Sequence, residues 1–140
     1  MAADRIGSRQ GFTLVETALV VAVMGLMLMI AAPRFTAMRN GYRLDSSAYQ
    51  LAGDLRRAQV EAVKRNQTVV VAKTGATTYN VTFIGARAFT EPGVAFGAPA
   101  MTVSLASFGP PIGGGATFTI TLAGRTKTVT VGANGLITVQ

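Results

Sequence analysis

From Gly11 to Pro33 the chain reads GFTLVETALVVAVMGLMLMIAAP, an apolar run that holds one carboxylate, Glu16, close to its start. The 21 residues from Phe12 to Ala32, as a helix rising about 1.5 Å per residue, extend roughly 31 Å, enough to cross the hydrocarbon core of a bilayer. A charge at the centre of a spanning helix costs roughly 2.5–3.5 kcal/mol on insertion scales, so an acid inside such a segment is a functional residue whose partner must be sought. Arg5 and Arg9 precede the run and suit a cytoplasmic leader. A plain secretory signal would be cut after small residues, and Ile30-Ala31-Ala32 offers such a place, but that reading leaves Glu16 unexplained. Gly25 and Pro33 are expected to bend or locally melt the helix, because one weakens the backbone and the other lacks a helical donor; Pro33 also suits the membrane boundary.

Beyond the apolar run about a hundred residues remain, enough for one modest head with one small core. With 13 basic and 6 acidic residues the chain carries a net charge of +7. Arg34, Arg39, Arg43, Arg56, Arg57, Lys64 and Arg65 fall within residues 34–65, opposed by Asp45, Asp54 and Glu61, the pattern of a solvated helix face. The chain has neither cysteine nor histidine, which excludes disulfides, thiol nucleophiles, imidazole acid–base chemistry and most zinc or haem sites. The scattered acids form no pair of the glycosidase kind. No enzyme activity, metal or cofactor is expected.

Leu44, Ala48, Leu51, Leu55, Ala58 and Ala62 recur at three- and four-residue steps, the apolar stripe of an amphipathic helix that should pack on a sheet. Lys64 and Arg65 suit its last turn and Asn66 a left-handed cap, so the helix should end at 65 or 66. The rest reads as strands. Residues 68–73 and 77–84 flank a Thr74-Gly75 turn, and weaker strands are expected near 87–90, 94–97 and 101–107. In ATFTITL, residues 116–122, Phe118, Ile120 and Leu122 alternate with threonines, and Val129 and Val131 repeat this in TKTVTV, giving each strand one buried face. Ala123-Gly124-Arg125 should turn between them, and Asn134-Gly135 should turn into a last strand, 136–139. The stretch FGPPIGGGA, 108–116, is too rich in proline and glycine for regular structure and reads as a mobile connection or a partner surface.

Gly11, Phe12, Thr13, Leu14, Val15 and Glu16 resemble the processing site of type IV prepilins and type II secretion pseudopilins. The stretch LAGDLRRAQVEAVKRNQTVVV, 51–71, with the closing hairpin and final strand from Gly124 to Val139, is similar to the GspH/FimT group of minor pseudopilins. The resemblance implies an α+β fold: a long N-terminal helix, membrane-spanning in its first half and amphipathic in its second, packed on a C-terminal antiparallel β-sheet head. It divides the chain into a cleaved leader (1–11), a transmembrane or filament-core helix (12–33), an amphipathic helix (34–66) and a β-rich periplasmic head (67–140). It further implies cleavage by a membrane-embedded prepilin peptidase between Gly11 and Phe12 and methylation of the new Phe12 amine. That amine would be neutralised by Glu16, at i and i+4, within a chain or between neighbouring subunits. The implied protein is a non-enzymatic subunit held in the inner membrane by lipid, then assembled with other pilins into a type II secretion pseudopilus or a type IV pilus. Some members of the group bind DNA through a Gly-Arg-x-Arg motif. The corresponding place here, Gly135-Leu136-Ile137-Thr138, has no cation, and Gly124-Arg125-Thr126-Lys127 lies one hairpin earlier, so DNA is not the expected partner. Any contact with phosphates would fall to Arg125, Lys127 and Arg87.

Overall fold

A computed structural model of the chain describes residues 11–98 and 101–140; the leader residues 1–10 lie outside the described part. Among the described residues one helix, α1 (Leu14–Arg65), is followed by nine strands: β1 (Val69–Lys73), β2 (Thr78–Val81), β3 (Gly85–Ala88), β4 (Ala95–Phe96), β5 (Thr102–Leu105), β6 (Pro111–Ile112), β7 (Ala116–Leu122), β8 (Arg125–Val131) and β9 (Ile137–Val139). The chain divides into two compact units, one up to Ala37 and one from Met38 to Gln140. The first consists of the apolar part of α1, and the second is the head.

In the head, α1 buries the stripe its spacing predicts, Leu44, Ala48, Leu51, Leu55, Ala58 and Ala62, together with Ser47 and Ala52. Four of these are alanines, whose small side chains let helix and sheet backbones approach closely. The helix ends in a Schellman motif. The Gln67 amide donates to Ala62 O at 3.1 Å and the Asn66 amide to Val63 O at 3.2 Å, with Asn66 itself at φ 50°. Asparagine is the side chain that tolerates this left-handed position best after glycine.

The strands form two antiparallel sheets, of order β3-β2-β1-β5-β6 and β4-β7-β8-β9. Alternation dictates their inner faces: Val69 and Val71 of β1, Tyr79 and Val81 of β2, Val103 and Leu105 of β5, Phe118, Ile120 and Leu122 of β7, and Val129 and Val131 of β8 all join one core with the helix stripe. The two longest strands, β7 and β8, are interior, and the outermost strands have two to four residues each. Tyr79, Phe89 and Phe96 pack ring against ring with centroids 4.7–5.8 Å apart.

Two expectations are corrected. The strand expected over 77–84 stops at Val81, because Phe83 at φ 68° and Gly85 at φ 101° turn the chain into β3. The segment 108–116 is not wholly irregular. Glycines 109, 113 and 114 take positive φ, and between them Pro111 and Ile112 form edge strand β6, paired with Leu105 and Ser104. Proline is admissible there because an outermost strand leaves one row of amides unpaired.

Leu122 and Arg125 pair across a two-residue turn whose central residues, Ala123 at φ 50° and Gly124 at φ 77°, both lie in the left-handed region. This is the geometry for which Asn-Gly is preferred. Ala123→Asn is therefore expected to stabilise the head by about 0.5–1 kcal/mol, since alanine resists that conformation. A rise in the thermal midpoint would verify it, and a fall would show that Ala123 has a packing role.

Candidate assembly site

The N-terminal end of α1 is built by three short-range contacts. Thr13 is the N-cap: its Oγ1 accepts the Glu16 amide at 3.2 Å, and its carbonyl accepts both the Thr17 amide and the Thr17 hydroxyl at 3.1 Å. Glu16 thus occupies the third helical position, where an acid favours the positive end of the helix dipole. The sequence signal for this position is the Thr-x-x-Glu spacing of a capping box, Thr13 to Glu16. Gly11, Phe12, Thr13 and Glu16 surround one open hollow of about 260 Å³. Gly11 and Glu16 are exposed, and Phe12 is 83 % exposed.

From Phe12 to Phe35 the side chains are exposed among the described residues. Leu14, Val15, Leu19, Met24, Met29 and Ile30 are all more than half exposed. One window of α1 reaches a mean hydropathy of 2.4 with none of it buried, so the helix is apolar and long enough to cross a membrane. Burying each such side chain is worth about 1.5–3 kcal/mol, so a segment of this kind requires lipid or protein around it. Gly25 lies inside α1 with open space around the position of a Cβ, and Pro33 also lies within the helical span.

In the head, the expected cations are placed against helix carboxylates. Lys127 Nζ is 2.9 Å from Asp45 Oδ1, an ionic contact without hydrogen-bond alignment, and Arg87 Nε is 3.8 Å from Asp54 Oδ2. Arg125 flanks the same shallow cavity as Lys127, about 440 Å³ between Gly41, Leu44 and Asp45 of the helix and the β7–β8 turn. A side chain at Gly41 would approach the Arg125 guanidinium to 3.3 Å. Arg125, Lys127 and Arg87 are thus not gathered into one basic patch facing outward; two of the three hold helix to sheet.

A second tether went unforeseen. The Tyr79 hydroxyl donates to Asp54 Oδ2 at 2.6 Å, and Gln50 bridges to β3 and its following loop by donating to Ala88 O and accepting from the Thr90 amide. Burial, and next the Asp54 carboxylate, push the Tyr79 hydroxyl well above the ordinary phenol range, so it remains a donor. Glu61 is held below the usual carboxylate range, chiefly by its hydrogen bond from Arg65. Among the described residues no group of three acid, histidine or cysteine side chains is placed to hold a metal ion.

No known family profile matches the chain. It is 37 % identical over 84 residues to the pilin-like protein PilA1 of Thermus thermophilus, an alignment covering 60 % of this chain and 43 % of that relative, so the match spans less than half of the relative's length. Among solved structures it is similar to the type IV minor pilin FimU of Pseudomonas aeruginosa in two crystal forms. The first superposes with a TM-score of 0.62 at 16 % identity, covering 75 % of this chain and 92 % of the other. The second gives 0.54 at 15 %, covering 69 % and 92 %. The fold, a long N-terminal helix packed on an antiparallel β head, is type IV pilin-like.

Proposed function

We propose that the protein is a non-enzymatic structural subunit of a type IV pilus or a related secretion pseudopilus, of the minor class, made as a precursor and cut between Gly11 and Phe12 by a prepilin peptidase. The observation that carries this reading is an uncovered apolar helix with one acid, Glu16, in its first turn, preceded at once by Gly11 and Phe12. In the membrane the segment is covered by lipid with the head on the periplasmic side. In a filament it is covered by the same segments of other pilin-like subunits. Cleavage would place a methylated ammonium on Phe12, beside the positive end of the α1 dipole, which disfavours it there by about 0.3–1 kcal/mol. Glu16 of the same or an adjacent subunit offsets both that repulsion and the cost of burying the amine. Gly25 and Pro33 are the places where the helix yields as it passes from bilayer to filament. DNA binding is not favoured, because Arg87 and Lys127 are engaged with Asp54 and Asp45.

The test is the intact mass and N-terminal sequence of the protein from cells with and without the peptidase. The expected product begins at methylated Phe12 only when the peptidase is present. A start at Met1 under both conditions, or a cut after Ala32, would replace the filament subunit by an anchored or secreted β domain.

A further inference from the structure

One end of the head collects apolar side chains that the core does not use. Val71 pairs with Val81 and Val69 with Leu105, which sets the β2–β3 turn and the β5–β6 turn at the start of β1, beside the end of α1. Phe83 stands in the first turn and Phe108 in the second, 48 % and 76 % exposed. The last turns of the helix add Val60 and Val63, which line an open apolar hollow of about 400 Å³ with Gln59 and Lys64. A Cβ on Gly109 would lie 4.0 Å from Val63, and one on Gly135 3.4 Å from Pro110; Gln59 donates to Gly135 O at 2.7 Å. These contacts bring the exposed Leu136 to the same end. Phe83 is held there at φ 68°, a region costly for a bulky side chain, with the Arg65 guanidinium 4.8 Å above its ring.

We infer that this end of the head docks a different polypeptide, one whose apolar surface is rimmed by carboxylates. The inference rests on the reading of the protein as a subunit of a mixed assembly. Charge selects the occupant. Glu61 faces two cations, Lys64 at 3.9 Å and Arg65 at 2.9 Å, so the rim of the apolar patch is positive. The other carboxylates of the head, Asp45, Asp54 and Glu91, are each matched by Lys127, Arg87 and Arg43. A second copy of this head would bring surplus cations and, among its described side chains, no unmatched carboxylate to the contact, which like-charge repulsion disfavours. An acidic partner would neutralise Lys64 and Arg65 and cover the aromatic rings, which serve as the anchors such interfaces concentrate their affinity on.

The test uses the full chain in cells, with the photoreactive residue p-benzoylphenylalanine in place of Phe108, and separately in place of Val20 in the apolar helix. The expected result is an adduct from Phe108 to a distinct polypeptide, mapped to a peptide rich in Asp or Glu. Phe83→Gly in the same chain is expected to lower the yield of that adduct about tenfold, as loss of one aromatic anchor does. Its thermal midpoint in detergent should stay unchanged or rise, since glycine accepts φ 68° freely. Adducts to a second copy, to lipid alone, or none from Phe108 would overturn the inference. Adducts from Val20 with none from Phe108 would remove the docking surface and leave the assembly reading standing. Absence of adducts from Val20 would count against assembly, and Phe108 would then decide the docking surface by itself.

Discussion

Glu16→Ala is expected to leave the chain processed and inserted in the membrane while lowering its share of assembled filament at least tenfold. In the proposed filament the Phe12 ammonium is buried among apolar helices, and removing one partner of a buried pair costs about 3–5 kcal/mol because the other charge is left uncompensated. Relaxation and water entry reduce that figure, but even 1.4 kcal/mol is a factor of ten. The structure adds a second role that must be separated from the first. Glu16 is also the third residue of a capped helix, with its amide on Thr13 Oγ1. Thr13→Ala removes the cap and should cost only about 1 kcal/mol. Glu16→Gln keeps a residue suited to that helical position and removes only the charge. Comparing sheared-filament and membrane fractions for the three variants distinguishes them: Glu16→Gln should resemble Glu16→Ala, and Thr13→Ala should lie near wild type. Normal incorporation of Glu16→Ala would eliminate charge pairing as the assembly device.

Tyr79→Ala should cost the head about 3–5 kcal/mol, the usual range for truncating a large buried aromatic. In a domain of about a hundred residues each kcal/mol moves the thermal midpoint by roughly 4–8 °C, so the midpoint should fall by roughly 12–40 °C. The ring is fully buried against Phe89 and Phe96, and its hydroxyl is the partner of Asp54. Tyr79→Phe keeps the ring and leaves Asp54 Oδ2 with the Arg87 contact at 3.8 Å. That variant should lose about 1–3 kcal/mol, the cost of a part-buried acceptor deprived of its donor. Thermal unfolding of the two variants checks both figures. Equal losses would mean that the hydroxyl, and not the ring, carries the stability.

The elements legible in advance were those with a strict period. The stripe from Leu44 to Ala62, the alternation of β7 and β8 and the Asn66 cap each follow from a local rule that the tertiary fold does not override. Phe83 broke the reading of 77–84 because nothing in its side chain announces a positive φ; that conformation belongs to the tight turn set by the pairing of β2 with β3. Strand β6 was hidden for the opposite reason. Its two residues sit among glycines and prolines, and only the existence of β5 beside them makes an extended pair favourable. At the site, Gly11, Phe12 and Glu16 were visible as a contiguous motif. The carboxylate partners of Arg87 and Lys127 were not, since Asp54 and Asp45 are distant in sequence and meet those cations only when the helix lies on the sheets.

For a subunit of the proposed kind, held in a membrane beside other pilin-like heads before assembly, the outer strands of its sheets bear on whether it remains usable. Long bare strand edges would invite one head to extend the sheet of the next and lock them together irreversibly. Here β7 and β8 are interior strands, β4 and β9 beside them are short, and the part of β8 that runs past β9 holds Arg125 and Lys127. Edges of this kind resist cross-β capture, so association of heads is left to side-chain contacts, as the proposed passage from membrane to assembly requires.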